Sequence, residues 1–174
     1  ILCFLSWLTP LIAILILLES KGPIFFKQKR NGLNYEEFYC YKFRSMQINK
    51  TTEKEASKND PRVTKMGKFM RKTSMDELPQ FFNVILGEMS VVGPRPHMVN
   101  LAKEYSDLIS NYLVRQYAKP GITGWAQVNG RDELSIPIKV QYDFEYLQKQ
   151  SFWFDMKILG LTFLKVVRRA GVSH

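Results

Sequence analysis

The adjacent carboxylates Asp76 and Glu77 are the side chains of this sequence with the clearest potential for chemistry. They stand at the predicted start of a helix, where unpaired backbone N–H groups and the positive end of the helix dipole favour a carboxylate, a phosphate, or both bridged by a metal ion. Neighbouring residues point about 100° apart on a regular helix, so the pair needs a frayed first turn or two separate roles. The alternative is that both residues only cap the helix.

The helix itself is predicted from the spacing of apolar residues along one face. Thr73 and Ser74 are candidate N-caps, and Ser74 and Glu77 have the spacing of a capping box. Pro79 suits a first turn, and Gly87 suits a stop. The apolar positions that define the face are Leu78, Phe81, Phe82, Ile85 and Leu86.

Arginines flank the acidic pair on both sides in the sequence. A short helix predicted over residues 63–72 would bring Arg71 near the pair, and it could also lie on a membrane surface. Beyond the acidic helix, two prolines flank Arg95 in the run Gly-Pro-Arg-Pro. They restrict its backbone and so pre-position a planar, always charged guanidinium. An exposed structural turn is the alternative for this run.

Composition limits the classes of protein and ligand. The 174 residues suit one domain with a real core. Lys and Arg number 25 against 16 Asp and Glu, with no charge in the first 18 residues, so the remainder suits a phosphate-bearing ligand, an anionic membrane or nucleic acid. Two cysteines make no disulfide framework and favour a reducing compartment. With only His97 and His174 present, a histidine-rich metal site and a Ser-His-Asp triad are disfavoured.

Residues 1–18 are almost continuously apolar and approach the length of a spanning helix. Pro10 should bend such a helix, and the Thr9 hydroxyl could satisfy a freed backbone group. A straight span and a bent, re-entrant helix both remain open. The basic residues after this segment place the rest of the chain on the cytoplasmic side in either case. Without an initiator Met or a cleavage site, we expect a truncated start rather than a secretory signal.

Two aromatic-rich runs, 23–30 and 37–46, predict a β-hairpin across an Asn-Gly turn signal. Lys42 and Arg44 project from one side of the second run, toward a phosphate or toward water. The polar segment 47–62 is predicted to be a loop beside the site and a candidate lid.

Further helices are predicted over about 97–117, from 135 or 137 to 148, and over 151–169, with a glycine-rich loop over 119–131 that contains Arg131. Aromatic and basic residues share the last helix, which fits either an interfacial membrane helix or docking on the fold. The predicted architecture is a single α+β domain over 1–174, mainly helical, with a small hairpin, amphipathic interfacial helices and a Pro-kinked re-entrant helix.

The ordered motifs of the chain resemble those of the bacterial sugar transferase family, the monotopic phosphoglycosyl transferases. The resemblance covers almost the whole chain, and residues 164–173 are similar to the compact members. The motifs are Gly-Pro-Ile-Phe-Phe-Lys-Gln-Lys-Arg-Asn-Gly, Tyr-Lys-Phe-Arg-Ser-Met, Met-Asp-Glu-Leu-Pro-Gln-Phe-Phe-Asn-Val, Val-Gly-Pro-Arg-Pro and Lys-Pro-Gly-Ile-Thr-Gly-Trp-Ala-Gln-Val-Asn-Gly-Arg.

This resemblance implies a reaction. A sugar phosphate would move from a UDP-sugar to polyprenyl phosphate, releasing UMP, as the first membrane step of glycan assembly on the cytoplasmic face of the bacterial inner membrane. Asp76 would be the nucleophile, and Glu77 would assist at Mg²⁺ and phosphate. The implied partners are a UDP-sugar, polyprenyl phosphate and membrane phospholipid, with no nucleic acid, while self-association stays open.

The resemblance also assigns roles to the remaining candidate residues. The family's leading helix is re-entrant and kinked at a Ser-Pro pair, where this chain has Thr9-Pro10. Arg71 matches the family position that binds phosphate. Arg44, Lys42 and Arg131 are further predicted phosphate-binding residues. The assigned nucleotide-binding residues are Pro94, Arg95 and Pro96.

Three rival hypotheses stay open at this point. The chain could bind nucleic acid, although it has no recognised fold signature for that. It could be a non-catalytic membrane-surface scaffold for glycan assembly. It could also catalyse direct transfer in a ternary complex, with Asp76 and Glu77 only holding Mg²⁺. No motif names the sugar.

Overall fold

The computed structural model describes residues 2–48, 60–130 and 133–168. Helices dominate, and short 3₁₀ turns cover Leu33–Tyr35, Met75–Glu77 and Tyr112–Tyr117. The helices are α1 (Leu2–Glu19), α2 (Lys65–Thr73), α3 (Gln80–Ile85), α4 (Val99–Leu108), α5 (Trp125–Val128), α6 (Ile136–Lys149) and α7 (Phe152–Arg168). The strands are β1 (Phe25–Asn31), β2 (Glu37–Phe43), β3 (Ser90–Val92) and β4 (Gly121–Thr123). The predicted mainly helical α+β class is confirmed.

Two compact units interleave along the sequence. Within the described residues, the first unit covers 2–26, 41–48 and 60–79, and the second covers 27–40, 80–130 and 133–168. The single domain over 1–174 stays a prediction.

The core of the first unit forms where one stripe of α1 packs on α2 and on the ends of the hairpin. Leu8, Ile12 and Ile16 follow the helical spacing of one face and are buried against Phe43 and Met70. At its end, α1 contributes Glu19, whose carboxylate accepts the N–H of Met66 at 2.8 Å and also that of Lys65. A carboxylate there satisfies donors that the first turn of α2 would otherwise leave unpaired.

The remaining surface of α1 is apolar and exposed. Outside its buried stripe, Trp7, Leu11, Ile14 and Leu18 face outward, and Thr9 and Pro10 lie within the helix. Of the helices in the described residues, none combines the length and the apolarity needed to cross a membrane. The re-entrant path of this segment stays a prediction.

The second unit is built around a parallel pair of strands, β3 and β4, paired from Ser90 with Gly121 to Val92 with Thr123. Glycines let the two backbones touch: a Cβ on Gly93 would lie 2.3 Å from the Lys119 carbonyl oxygen. The predicted loop over 119–131 was therefore wrong in part, because it contains β4 and α5. At this pair, glycine serves backbone-to-backbone packing.

Helices α6 and α7 close this unit. Ile158 of α7 and Tyr146 of α6 are buried with Val92 and Val128, while α6 also packs Val140 on a cluster that contains Tyr112. These two helices and the hairpin confirm their predictions. The helix predicted over 97–117 was wrong in extent: α4 ends at Leu108, and Asn111 adopts a left-handed conformation with φ of 62° before a 3₁₀ turn begins.

Candidate active site

The acidic pair lies on a tight turn rather than on a regular helix. Helix α2 ends at Thr73, and Ser74 takes a left-handed conformation with φ of 57°, its N–H donating back to the Arg71 carbonyl. The 3₁₀ turn Met75–Glu77 follows at once. Met75 and Leu78, three residues apart, both pack on the core of the first unit. Their packing fixes the turn that carries the two carboxylates.

The predicted capping of this helix was wrong. Ser74 makes no side-chain cap hydrogen bond, so the capping box with Glu77 does not form. The Thr73 hydroxyl donates to the Phe69 carbonyl of its own helix at 2.9 Å. The physical reason is that Ser74 ends α2 in a left-handed conformation, whereas an N-cap residue needs an extended backbone.

The helix after the turn, α3 in the second unit, is short and buries its polar residues. Gln80 and Asn83 are buried, whereas Phe82, Ile85 and Leu86 of the predicted apolar face are exposed. Asn83 is fully enclosed, and its side-chain amide donates to the Tyr39 carbonyl and to Glu88, both at 2.7 Å. The apolar spacing therefore predicted the helix but not the direction that it faces. The predicted stop is confirmed by the positive φ of 80° at Gly87.

Asp76 and Glu77 are both buried, with 8% and 6% of their surface exposed. Lys42 of β2 lies 2.8 Å from Glu77 Oε1, and one fifth of its side chain is still exposed. Burying a carboxylate is unfavourable unless hydrogen bonds or a counter-charge compensate. The structure thus brings together Lys42 and Glu77, which are 35 positions apart in the sequence.

The two predicted arginines of the first unit have different partners. Arg71 of α2 donates from Nε to the Ser45 hydroxyl at 2.9 Å. Arg44 is buried, and its two terminal nitrogens donate to the carbonyls of Ser20 and Lys21 at 2.6 Å. Removal from water lowers the pKa of the Arg44 guanidinium. Arg44 therefore anchors the chain that follows α1, and its assignment as a phosphate ligand stays a prediction.

The Gly-Pro-Arg-Pro run belongs to the second unit and follows β3. Gly93 donates to the Thr123 carbonyl at 2.9 Å, which continues the strand pair up to the first proline. Arg95 precedes His97 and helix α4, whose N-cap position is Met98. Beside the run, a shallow cleft opens to solvent, lined among others by Asn31, Pro94, Arg95, Pro96 and Gln116.

A buried network of charged side chains contacts the backbone of this run and the ring of His97. Arg115, in the 3₁₀ turn Tyr112–Tyr117, donates from Nη2 to the Arg95 carbonyl at 2.6 Å, and its Nη1 lies 2.6 Å from His97 Nδ1. Asp143 Oδ2 is 2.8 Å from Arg115 Nη2. That oxygen has no well-aligned donor, so the two side chains form an ion pair through charge proximity.

Burial controls the protonation of this network. Burial, then the positive charges of Arg115, Arg95 and Arg30, hold the pKa of His97 well below its usual value, so the ring is neutral at pH 7. Burial raises the pKa of Asp143 to about 6, although the charge of Arg115 acts in the opposite direction. Burial likewise raises the pKa of Tyr112, whose hydroxyl lies 2.6 Å from His97 Nδ1.

Comparison with known proteins adds family membership to this geometry. The family model described as bacterial sugar transferase matches residues 1–169. The chain belongs to this family.

Relatives within the sugar transferase family differ in the sugar that their names give. A UDP-glucose:undecaprenyl-phosphate glucose-1-phosphate transferase of Xanthomonas campestris pv. campestris is 48% identical over 90% of this chain and 34% of its own length. An undecaprenyl-phosphate galactose phosphotransferase of Salmonella typhimurium is 41% identical over 86% of this chain and 34% of its own length. The uncharacterized sugar transferase EpsL of Bacillus subtilis is 40% identical over all of this chain and 85% of its own length.

The chain spans about a third of the length of the glucose and galactose transferases, and most of the length of the Bacillus protein. Both long and short proteins of the family therefore match it. The similarity of residues 164–173 to the compact members stays a prediction.

The structure distributes the predicted site residues of this sugar transferase family member over its two units. Asp76, Glu77, Lys42, Arg44 and Arg71 lie in the first unit, and the Pro94–Arg95–Pro96 run lies in the second. Arg131 and most of the predicted lid, residues 49–59, fall outside the described residues. The assigned roles stay predictions.

Sequence reasoning missed Arg115 and Asp143. Arg115 is the only charged residue of the partly apolar segment Tyr112–Tyr117, whereas Asp143 shares Ile136–Lys149 with Lys139, Glu145 and Lys149. An isolated charge in such a segment indicates a buried partner. Nothing in one sequence shows that these two positions meet.

The donor chemistry of the acidic pair fits Mg²⁺. Within the described residues, no three His, Cys, Asp or Glu side chains gather into a metal-binding group. Mg²⁺, however, is often held by one or two carboxylates together with substrate phosphates and water. Asp76 and Glu77 supply that number of carboxylates.

Proposed function

We propose that this chain is the catalytic domain of a phosphoglycosyl transferase that moves a sugar 1-phosphate from a UDP-sugar to polyprenyl phosphate and releases UMP. Family membership and the names of the relatives support the general reaction. The observation that carries the proposal is the buried acidic pair, held on a core-packed turn with Lys42 at 2.8 Å from Glu77.

Asp76 is the nucleophile in this proposal. Its carboxylate oxygen attacks the sugar-bearing phosphorus of the UDP-sugar, the phosphoanhydride bond breaks, and UMP leaves with the bond electrons. An oxygen of polyprenyl phosphate then attacks the same phosphorus, and the bond to Asp76 breaks. The products are the polyprenyl-diphosphate sugar and a regenerated carboxylate. The tight turn supports this role because it fixes the direction of a buried, poorly hydrated carboxylate.

Glu77, Lys42 and Arg71 balance charge around the transferred phosphoryl group. Glu77 and Asp76 would hold Mg²⁺, which neutralises charge on the phosphate oxygens when bound. Lys42 holds Glu77 in one orientation through its ion pair. Arg71 can present its terminal guanidinium nitrogens to a phosphate while Nε stays bonded to Ser45.

The Pro-Arg-Pro run would contact the uridine nucleotide, with Arg95 supplying the charge. The sugar is open, because relatives of 48% and 41% identity carry the names of glucose and galactose transferases. We place the reaction at the first membrane step of glycan assembly, on the cytoplasmic face of the inner membrane. The exposed apolar surface of α1 and the Thr9–Pro10 pair support a re-entrant attachment to phospholipid.

The test is UMP release by the full-length protein in lipid discs, with Mg²⁺, polyprenyl phosphate and a panel of UDP-sugars. Release over many turnovers should require the lipid and the metal, and it should vanish in Asp76→Asn. The matched control is Asp60→Asn, since Asp60 is another buried carboxylate of the first unit, paired with Arg62 at 2.6 Å. Absence of release from the wild-type protein across the panel would favour a non-catalytic scaffold.

Direct transfer in a ternary complex is separated by a second measurement. The covalent route predicts UMP release in one burst without lipid, and a protein-bound phosphosugar that is absent from Asp76→Asn. Sequential kinetics without any trapped phosphosugar would instead favour the ternary complex.

A further inference from the structure

Every backbone carbonyl of residues 94–97, the segment that follows β3 and is here named the 94–97 turn, accepts a hydrogen bond within the second unit. A free turn on a surface would leave these carbonyls to water. The donors are Gly121 N to Pro94 O at 2.9 Å, Arg115 Nη2 to Arg95 O at 2.6 Å, Arg30 Nη1 to Pro96 O at 2.9 Å and Asn31 N to His97 O at 3.3 Å.

Arg115 holds the residue at the centre of this turn. Its bond to the Arg95 carbonyl is charge-assisted, and such bonds are stronger than those between neutral groups. Only 5% of the Arg115 side chain and 2% of the Asp143 side chain are exposed. Asp143 therefore holds the guanidinium on one side, and the neutral ring of His97 holds it on another.

A guanidinium suits this position better than an ammonium group. Nη2 donates to the Arg95 carbonyl and lies 2.8 Å from the Asp143 carboxylate. Nη1 lies 2.6 Å from His97 Nδ1 and 3.3 Å from the Tyr112 hydroxyl. These partners surround a planar fork of donors, whereas lysine offers a single nitrogen on a flexible stem. A lysine could thus keep the charge beside Asp143 but not all the bonds to the turn.

We propose that Arg115, oriented by Asp143, is a positioning residue that fixes the backbone of Arg95 and so directs the Arg95 side chain to a bound uridine diphosphate. This inference rests on the proposed function, because it assigns Arg95 to nucleotide binding. Arg115 acts through Arg95 and is given no contact with the nucleotide.

The experiment compares Arg115→Lys with Lys149→Arg in the full-length protein in lipid discs. Lys149 is the control because it also pairs with a carboxylate of the second unit, Glu145, but on the surface and with no role assigned to it. The probe is UDP-glucose, whose dissociation constant is measured on an Asp76→Asn background so that no turnover interferes. Amide hydrogen exchange of the peptide over residues 93–98 is measured in parallel without nucleotide.

Arg115→Lys should weaken UDP-glucose binding by about 10-fold to 100-fold, the scale of a misplaced binding group. It should also accelerate exchange over 93–98. In the background with Asp76 intact, KM for the preferred UDP-sugar should rise by the same factor while kcat changes less than threefold. Lys149→Arg should leave the binding constant and the exchange of this peptide unchanged.

The pH dependence of UDP-glucose binding separates a positioning role from a purely structural one, because a residue that only stabilises the core would not change it. Protonation of Asp143 releases Arg115, so wild-type binding of UDP-glucose should weaken as pH falls through about 6, whereas Asp143→Asn should be weak and flat there. The charged and titratable groups around Asp143 are Arg115 and Tyr112 from the 3₁₀ turn and Lys139 from its own helix. UDP-glucose is chosen because its diphosphate does not titrate in this range.

Three results would overturn the inference. Unchanged binding and exchange in Arg115→Lys would reduce Arg115 to a brace of the core. Faster exchange with unchanged binding would show that the turn does not direct a nucleotide ligand. A wild-type protein that neither binds nor turns over any UDP-sugar would refute the proposed function and, with it, the role of Arg95.

Discussion

The Lys42–Glu77 pair of the first unit and the Arg115–Asp143 pair of the second each join a basic side chain to a buried carboxylate, and they differ in exposure and in chemistry. Lys42 and Glu77 meet on an acidic turn where a fifth of the lysine side chain still reaches solvent. Arg115 and Asp143 are almost fully enclosed, and the hydrogen-bond partners of the arginine include a backbone carbonyl and the His97 ring.

The difference indicates two uses of buried charge. A point charge with one partner and some exposure can exchange that partner for a phosphate or a metal-bound substrate. A sealed guanidinium with several partners cannot reach a substrate, but it can hold a turn in place. The pair of the first unit therefore suits chemistry, and that of the second suits positioning. The following predictions test this division.

The largest contrast is expected between two aspartates. Asp76→Asn should lower the rate of UMP release by about 10⁴-fold or more, as when a covalent nucleophile is removed. Asp143→Asn should keep most of kcat and raise KM for the UDP-sugar instead. Steady-state kinetics with both variants in lipid discs measures the contrast. Equal losses of kcat would erase the distinction between the two pairs.

The free energy of unfolding should show the reverse order, with the larger loss at the Arg115–Asp143 pair. Arg115→Met leaves the enclosed Asp143 carboxyl without its counter-charge, so the group must stay charged or take up a proton, which should cost about 3–5 kcal/mol of unfolding free energy. Lys42→Met leaves the buried Glu77 beside a side-chain position that is one-fifth exposed, where water can hydrate the carboxylate, so it should cost only about 1–2 kcal/mol. Thermal unfolding of both variants in one detergent compares them. A more damaging Lys42→Met would mean that the pair on the acidic turn is the structural one.

The pH dependence of the free energy of unfolding should report the raised pKa of Asp143 in its buried pair with Arg115. Burial raises the pKa of Asp143 to about 6 in the folded protein, above its unfolded value. Between about pH 4 and 6 the folded state thus binds a proton that the unfolded state does not. This aspartate should therefore make unfolding less favourable as pH falls through 6, with no further change below about 4. The increment should be absent from Asp143→Asn, and a wild-type curve parallel to that variant would contradict the assignment.

The exposed carboxylate Glu19 should have the smallest effect on the free energy of unfolding. Its stabilising contribution is lost as pH falls, whereas that of Asp143 grows. Burial alone would raise the pKa of Glu19, but hydrogen bonds from Met66, Thr64 and Lys65 outweigh it and lower the pKa below 4.5. Its contribution is thus present above the unfolded pKa and is lost as pH falls through the lower, folded value. Glu19→Gln should cost about 0.5 kcal/mol at pH 7, the scale of a charge at a helix N-terminus. Unfolding measured from pH 7 downward should show a difference between variant and wild type that is largest at pH 7 and shrinks as Glu19 becomes protonated.

Local sequence patterns predicted many elements because their causes are local. Apolar spacing at helical and strand periods placed α6, α7 and the hairpin, and the glycine with positive φ ended α3 at the predicted residue. The ordered motifs were specific enough to indicate the family. These are properties of neighbouring residues, so one sequence contains them.

Other features depended on tertiary contacts. The parallel pair β3–β4 joins strands separated by the whole of α4 and a 3₁₀ turn, and no short-range pattern marks such a pairing. The face of α3 was also decided by packing, since enclosed partners for Asn83 outweighed the burial of Phe82 and Leu86. Periodicity locates a helix, but the neighbours determine which of its faces is buried.

The sequence by itself determined the chemical identities of the candidate site: adjacent carboxylates after a basic helix, an arginine between two prolines, and a surplus of positive charge for phosphate ligands. Only the tertiary structure decided that Ser74 ends α2 instead of capping the next helix, that Lys42 pairs with Glu77, and that Arg115 holds the Arg95 carbonyl. The reason is physical. Residue type sets which interactions a side chain can make, but burial and distance in the folded chain set which of them it makes.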